Sequence, residues 1–413
     1  MQSSLQHGVL SWPHGAVSRV PYALYSDPEI YRRELQCLFY GKHWSYVGLE
    51  AEVPRNGDFK TTRIGERAVI LTRDLQGGIN VIENHCAHRG VQFCQERLGN
   101  RKGFVCPYHQ WTYDLKGNLK GLPFRKGVNG HGGMPEDFKL ESHGLTKLKV
   151  AVRNGVIFGS FDHAVESLDE YLGPTILKYF DRVFDGRELS VLGYSRQRIP
   201  GNWKLMQENI KDPYHPGLLH TWFVTFGLWR ADQESQMVMD DHGRHACMIS
   251  RRNAGGKGAV TEGVQSFKEQ MTLHDARLLD IVPEAFWNGP TVVMTTIFPS
   301  IIIQQQVNSL STRQILPRGP NSFDFVWTHF GFVDDTPEMT QRRLRQANLF
   351  GPAGYVSADD GEVVELAQDG MRQHLEYQTI SELGGRDIGN TDHMVTETLI
   401  RGMYGYYRKV MEL

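Results

Sequence analysis

The chain has 413 residues, a net charge of −2, 40% hydrophobic and 22% charged residues. That length exceeds one ordinary core and suits two domains of a soluble globular protein. The near-neutral balance excludes a broad basic surface for nucleic acid or anionic lipid. Five cysteines form no even disulfide framework, no apolar run is long enough to cross a membrane, and no signal peptide is visible, so a cytoplasmic protein is expected.

Residues 1–40 are mostly polar and end in an amphipathic stretch. Asp27-Pro28 opens it, and Ile30, Leu35, Leu38 and Phe39 mark one helix face. From His43 to Phe161 short β-rich runs alternate with turns, which predicts a small all-β domain. Asn154-Gly155 predicts a hairpin, because both residues accept the positive φ of a tight turn. Residues 121–135, rich in glycine, read as a long loop. Two loops within this domain carry ligand-type side chains: N-H-C-A-H-R-G, with Cys86 and His88, and F-V-C-P-Y-H-Q-W-T-Y, with Cys106 and His109. Two thiolates and two imidazoles suit a [2Fe–2S] cluster with cysteines on one iron and histidines on the other. Two Cys and two His also suit tetrahedral zinc, although zinc sites more often use wider pairs. Cys37, Cys94 and Cys247 read as small apolar residues.

Past Phe161 helices return. Residues 169–183 show helical spacing of apolar residues, residues 291–316 and 323–333 read as strands, and residues 338–349 and 392–412 as helices. Residues 252–270 are polar and glycine-bearing and read as a mobile loop. The segment W-K-L-M-Q-E-N-I-K-D-P-Y-H-P-G-L-L-H predicts a helix with one buried face, interrupted at Pro213 and Pro216-Gly217. His215 and His220 would lie about 140° apart on an unbroken helix; the interruption lets both face one point. Two such histidines and one distant carboxylate make the facial triad of non-haem Fe(II) oxygenases, which leaves positions for O2. Asp360 in A-D-D-G-E is the candidate third ligand, with Asp359 and Glu362 competing, and by spacing alone the pair of Asp before Gly is more often a solvated turn.

The Cys-x-His and Cys-x2-His loops, the Arg89-Gly90 and Trp111 beside them, and the Asp-x-x-His-x4-His segment resemble the Rieske aromatic-ring-hydroxylating oxygenase α subunits over almost the whole chain. The resemblance implies an α+β architecture: residues 1–40 as the N-terminal part of the catalytic domain, 41–161 as the Rieske [2Fe–2S] domain, and 162–413 as a helix-grip-like catalytic domain with a central antiparallel sheet and mononuclear Fe(II). It implies that His215, His220 and Asp360 hold the iron, and that Asp212, with Asn209 beside it, links that site to the cluster of a neighbouring subunit through His109. Within the family the chain resembles the branch acting on benzoate-like acids, and most closely the members that hydroxylate salicylate. The expected reaction is hydroxylation at ring position 5 to gentisate; the alternative is a dioxygenase of anthranilate or terephthalate. Pro216-Gly217 departs from the K-D-x-Y-H-A pattern of those enzymes and changes the surroundings of His215. The expected partners are a small beta subunit, in an α3β3 assembly of three large and three small subunits, a ferredoxin and an NADH-dependent reductase. A separate reductase follows because no Gly-x-Gly-x-x-Gly strand–helix element for a dinucleotide is present. For the substrate carboxylate, Arg313 is the first candidate, with Gln306 and Ser357 as hydrogen-bond donors and Phe350, Phe226 and Met206 as apolar wall. Outside the enzymes, the alternatives are a bare electron carrier, which would need only the first domain, and a zinc-structured binding protein.

Overall fold

A computed structural model describes residues 12, 16–227, 229, 232–251, 264, 265, 267–269 and 271–413. The chain forms two compact units, residues 38–168 and residues 1–37 with 169–413. Most of the stretch read as a mobile loop, residues 252–263, 266 and 270, lies outside the described residues.

Helix α1 (Pro28–Glu34) starts where Asp27 accepts the backbone N–H groups of Glu29 and Ile30, satisfying donors that a helix start leaves orphaned. A single π turn at residues 35–39 follows it and buries Leu35, Leu38 and Phe39, while Ile30 stays half-buried.

The β unit has three small antiparallel sheets. Strands β1 (Ser45–Leu49), β2 (Asp58–Ile64), β3 (Arg67–Arg73), β4 (Ile79–Glu83) and β5 (Leu98–Asn100) precede β6 (Phe104–Val105), β7 (Thr112–Tyr113) and β8 (Leu119–Gly121). Strands β9 (Lys149–Arg153) and β10 (Val156–Ser160) close the unit. The sheet orders are β1-β10-β9, β4-β3-β2-β5 and β6-β7-β8. The expected hairpin is β9–β10, with Asn154 at φ 47° and Gly155 at φ 83°. Phe59, Ile70, Phe93, Phe104, Trp111 and Tyr113 share one core with Cys86 and Cys106, so the apolar packing that folds the unit also fixes the two cysteine loops.

In the larger unit, α2 (Leu168–Val183) is kinked at Gly173, where Pro174 cannot donate a backbone N–H. Strand β11 (Leu189–Ile199) leads into α3 (Trp203–Lys211) and two short helices, α4 (Pro216–Leu219) and α5 (Thr221–Thr225). Strands β12 (Ser235–Met239), β13 (Ala246–Ser250), β14 (Val292–Ile297), β15 (Ile301–Gln306), β16 (Ser309–Pro317) and β17 (Phe323–Phe332) run as a meander. With β11 beside β17 they form a seven-stranded antiparallel sheet, β11-β17-β16-β15-β14-β13-β12. Helices α6 (Pro337–Phe350), α7 (Ser357–Gln373) and α8 (Thr398–Met411) complete the unit. The last helix is shorter than its sequence pattern suggests: Thr391 exchanges backbone hydrogen bonds with Met237, which holds the stretch before α8 against β12. Among the described residues no helix is long and apolar enough to cross a membrane.

Helix α3 is buried more completely than one amphipathic face. Lys204, Gln207 and Lys211 are buried, and each is satisfied by a partner. Lys204 Nζ lies 2.6 Å from Glu34 Oε1, and Glu34 also accepts from Trp203 Nε1 (2.8 Å) and the Tyr407 hydroxyl (2.6 Å). Lys211 donates to Gln207 Oε1 and Thr296 Oγ1, both at 2.8 Å.

Candidate active site: two clusters of metal-binding side chains

The two cysteine loops have the same backbone construction. The Cys86 N–H donates to Val91 O, and the Gly90 N–H returns to Cys86 O; the Cys106 N–H donates to Trp111 O, and the Gln110 N–H returns to Cys106 O. Closing each turn requires a left-handed residue at the fourth position, Gly90 at φ 72° and Gln110 at φ 57°. At Gly90 an added Cβ would stand 2.8 Å from Nε2 of the exposed His85 side chain, which would have to swing aside. The loops present Cys86 and Cys106 at 1% exposure, while His88 and His109 are half-buried. The two Nδ1 atoms face each other at 3.1 Å, and the His88 ring stacks on Trp111 with centroids 4.9 Å apart. Tyr113 OH lies 3.3 Å from Cys86 Sγ and accepts from the Ala87 N–H. Burial raises the Cys106 thiol above its ordinary pKa, a cost that metal coordination of the thiolate reverses. Two buried sulfurs and two converging Nδ1 atoms fit a [2Fe–2S] group of mixed ligation. Cys94 is buried in the same core as Cys86 and Cys106, while Cys247 is buried and Cys37 half-buried in the other unit.

The second cluster is built where α3 stops. Asp212 leaves the helix with extended backbone, Pro213 blocks its continuation, and His215 and His220 flank α4. Asp360 comes from the first turn of α7 and not from a solvated turn. One ligand atom from each of His215, His220 and Asp360 lies within 4.8 Å of the others. Asp360 Oδ1 is 3.5 Å from His215 Nε2, 3.2 Å from His220 Nε2, and accepts from Asn209 Nδ2 at 3.1 Å. Asp359 is not part of this trio: its Oδ2 lies 3.1 Å from His220 Nδ1, on the far side of the ring, where it orients the imidazole. Asp212 Oδ2 stands in the equivalent place for His215, 3.4 Å from Nδ1. Burial works against charge on His215, yet Asp212 and Asp360 overcome it and raise the imidazole to about 9. Burial would likewise raise Asp360, but the two histidines hold its carboxyl well below the usual range. A proton here occupies the ground a dication would take, so the trio fits a metal with a two-His, one-carboxylate face.

A cavity of about 130 Å3 opens on this trio. Its floor includes Met237, Met248 and Met294, which are cross-strand partners in one row, and its walls include Phe223 and Trp229. The methionine row was not singled out from the sequence; alternation along β12, β13 and β14 is the signal that exposes it. Pro216 starts α4, and Gly217 lets the Trp229 ring approach so closely that a Cβ would lie 2.1 Å from it. Arg313 lines the cavity at 1% exposure. Its Nε and Nη2 donate to Gln304 Oε1, and its guanidinium lies 4.0 Å from the centre of the Trp327 ring. No carboxylate pairs with it among the described residues, and burial lowers it to about 9 against the attraction of Asp360. Gln306 also lines the cavity and accepts from Gln304 Nε2 at 2.7 Å. Ser357 does not: it is fully buried and its hydroxyl bonds Gln197. Met206 and Phe226 are absent from the wall, and Phe350 lines an adjoining cavity of about 50 Å3 that shares Phe223 and Gln306.

Residues 184–413 match the catalytic domain of the ring-hydroxylating alpha subunits, and residues 43–132 match the Rieske [2Fe–2S] domain. The chain belongs to the ring-hydroxylating oxygenase alpha subunits. It is therefore a Rieske-type ring hydroxylase whose cofactors are a [2Fe–2S] cluster and a mononuclear non-haem iron. The alpha subunit is 69% identical to the large oxygenase component of salicylate 5-hydroxylase from Ralstonia sp, over 97% of this chain and 96% of that one. It is 40% identical to the anthranilate 1,2-dioxygenase large subunit of Burkholderia cepacia, over 97% and 95%. Naphthalene 1,2-dioxygenase from Rhodococcus sp. bound to indole has the same fold, with a TM-score of 0.81 at 25% identity over 96% of this chain and 95% of that one.

Proposed function

We propose that this chain is the oxygenase component that hydroxylates salicylate at ring position 5, giving gentisate and water from O2, two electrons and two protons. In this reading the electrons come from NADH through a separate reductase and ferredoxin, and the chain assembles with a small beta subunit as three large and three small subunits. The observation that carries an aromatic acid as substrate is Arg313, a buried cation without a carboxylate partner among the described residues, in the wall of the cavity that opens on His215, His220 and Asp360. The 69% identity with a salicylate 5-hydroxylase component supports the particular acid. Cavity size supports a single ring: about 130 Å3 here, close to the roughly 150 Å3 of an apolar cavity that accepts benzene.

Cys86, Cys106, His88 and His109 would hold the cluster, and His215, His220 and Asp360 the iron. When bound, the cluster supplies electrons singly and the iron supplies dioxygen activation. The residues of the chain do the rest. Arg313 Nη1, which has no acceptor among the described residues, meets the substrate carboxylate. Gln306 hydrogen-bonds the ring hydroxyl. The methionine row, Phe223 and Trp229 confine the ring and exclude water. Asn209 holds Asp360, Asp359 holds His220, and Asp212 holds His215. His109, with Nδ1 turned toward His88, has Nε2 for a bond to Asp212 of a neighbouring copy, and that bond carries the link between the two centres. The test is product analysis after turnover of salicylate with ferredoxin, reductase and NADH. Gentisate supports the reading; catechol or a cis-diol would place the enzyme with the dioxygenases.

A further inference from the structure

A second cleft, of about 500 Å3, lies beside the iron cavity, between β13 and α2. Ile249 and Ser250 of β13 line both this cleft and the iron cavity, while Met248 lines the iron cavity alone. Among the described residues the charge of the cleft is one-sided: Lys178, Arg182 and Arg251 line it against a single carboxylate, Glu234. Arg182 is the informative one. It is half-buried and makes four hydrogen bonds, to Trp287 O through Nε and Nη2, to Pro290 O, and to Gln305 Oε1. Every one of those acceptors is neutral. No carboxylate hydrogen-bonds it among the described residues, and burial pushes it down to about 10 against the attraction of Glu284, whose carboxylate is bonded to Arg343. A cation held so firmly in place without a counter-ion is a preformed half of an ion pair. The remaining wall is aromatic, with Tyr179, Phe286 and Trp287, and the Lys178 ammonium stands 5.2 Å from the centre of the Tyr179 ring.

We propose that this cleft, which adjoins the iron cavity, is a second ligand site for a small aromatic carboxylate, with Arg182 and Lys178 taking the carboxylate and the Tyr179–Phe286–Trp287 wall taking the ring. The site does not depend on which acid the iron cavity accepts. Its volume falls in the usual range for small-molecule sites, roughly 300–1,000 Å3.

The test is equilibrium dialysis of radiolabelled benzoate against the assembled, iron-loaded oxygenase. Two benzoates per chain are expected, the second displaced by salicylate and not by acetate. Arg182→Gln should abolish the second and retain the first. Because Arg182 also clamps the Trp287 and Pro290 carbonyls, Lys178→Gln is the companion variant. Lys178 is exposed and makes no such clamp, so its loss should weaken the second site about fivefold, the scale of one exposed ion pair, at unchanged melting temperature. One benzoate per chain at saturation, a second benzoate kept at full affinity in both variants, or displacement by acetate as effective as by salicylate would each overturn the proposal.

Discussion

Two residues bear most of the chemistry that can be tested singly. Arg313 is held by Gln304 and by the face of Trp327, so its geometry does not wait for substrate. Replacing it with Met removes the charge at similar length. Salicylate binding should weaken by about 1.5–3 kcal/mol, the worth of a hydrogen bond to a charged group, and iron content should not change; titration of the holoenzyme measures both. His215 gives a pH test. Without metal its imidazole is raised to about 9 by Asp212 and Asp360, so below that pH iron must displace a proton. The sign follows: apparent Fe(II) affinity of the iron-free protein should rise by about tenfold per pH unit from 7 toward 9, the slope for one proton, and level off above. Anaerobic titration at a series of pH values reads the slope, and a flat profile would contradict a protonated His215. Much of this was legible in the chain. Cys86, His88, Cys106 and His109 announce themselves because each pair is local, two or three residues apart. Asp360 did not, since an Asp-Asp-Gly string has the composition of a turn and only tertiary packing brings the first turn of α7 to the histidines. Ser357 shows the converse. Its proximity to Asp360 in sequence suggested a substrate contact, but the hydroxyl is spent on Gln197.

At the scale of elements, α3 decides where His215 and His220 stand, through the point at which it stops. Its end at Asp212-Pro213 was readable from proline alone. Its burial on nearly all sides was not, because Lys204, Gln207 and Lys211 look like solvent residues until Glu34 and Thr296 arrive from elements distant in sequence. The order of the sheet was equally hidden: the strand patterns give no reason for β11 to lie beside β17. The Glu34–Lys204 pair, with Trp203 and Tyr407 on the same carboxylate, ties α1, α3 and α8 together. Lys204→Met should cost roughly 3–5 kcal/mol, because it leaves the Glu34 charge buried and unpaired. Lys204→Met combined with Glu34→Gln should recover part of that loss, since no bare charge remains. Urea unfolding of the three proteins checks the order, and a double variant less stable than the single one would show that the charge is not the cause.

At the scale of the molecule, the Cys86–His109 group and the His215–Asp360 group belong to different compact units, and the proposed reaction needs both. Asp212, the residue proposed to link them, stands against His215 and is only partly buried. Asp212→Ala should leave iron and acid-labile sulfide at wild-type levels while product formation falls at least a hundredfold, the upper range for loss of an outer partner of a metal ligand, about 10–100-fold, plus the broken link. Metal analysis beside a turnover assay separates the two effects; full activity with full metal content would remove the bridging role. The central claim, that both centres act together to hydroxylate salicylate, is tested most directly by a single turnover. The holoenzyme is reduced, freed of reductase and ferredoxin, and mixed with salicylate and 18O2. Gentisate carrying one 18O at ring position 5 is the expected product. Oxidation of the cluster with salicylate recovered intact, or catechol in place of gentisate, would contradict it.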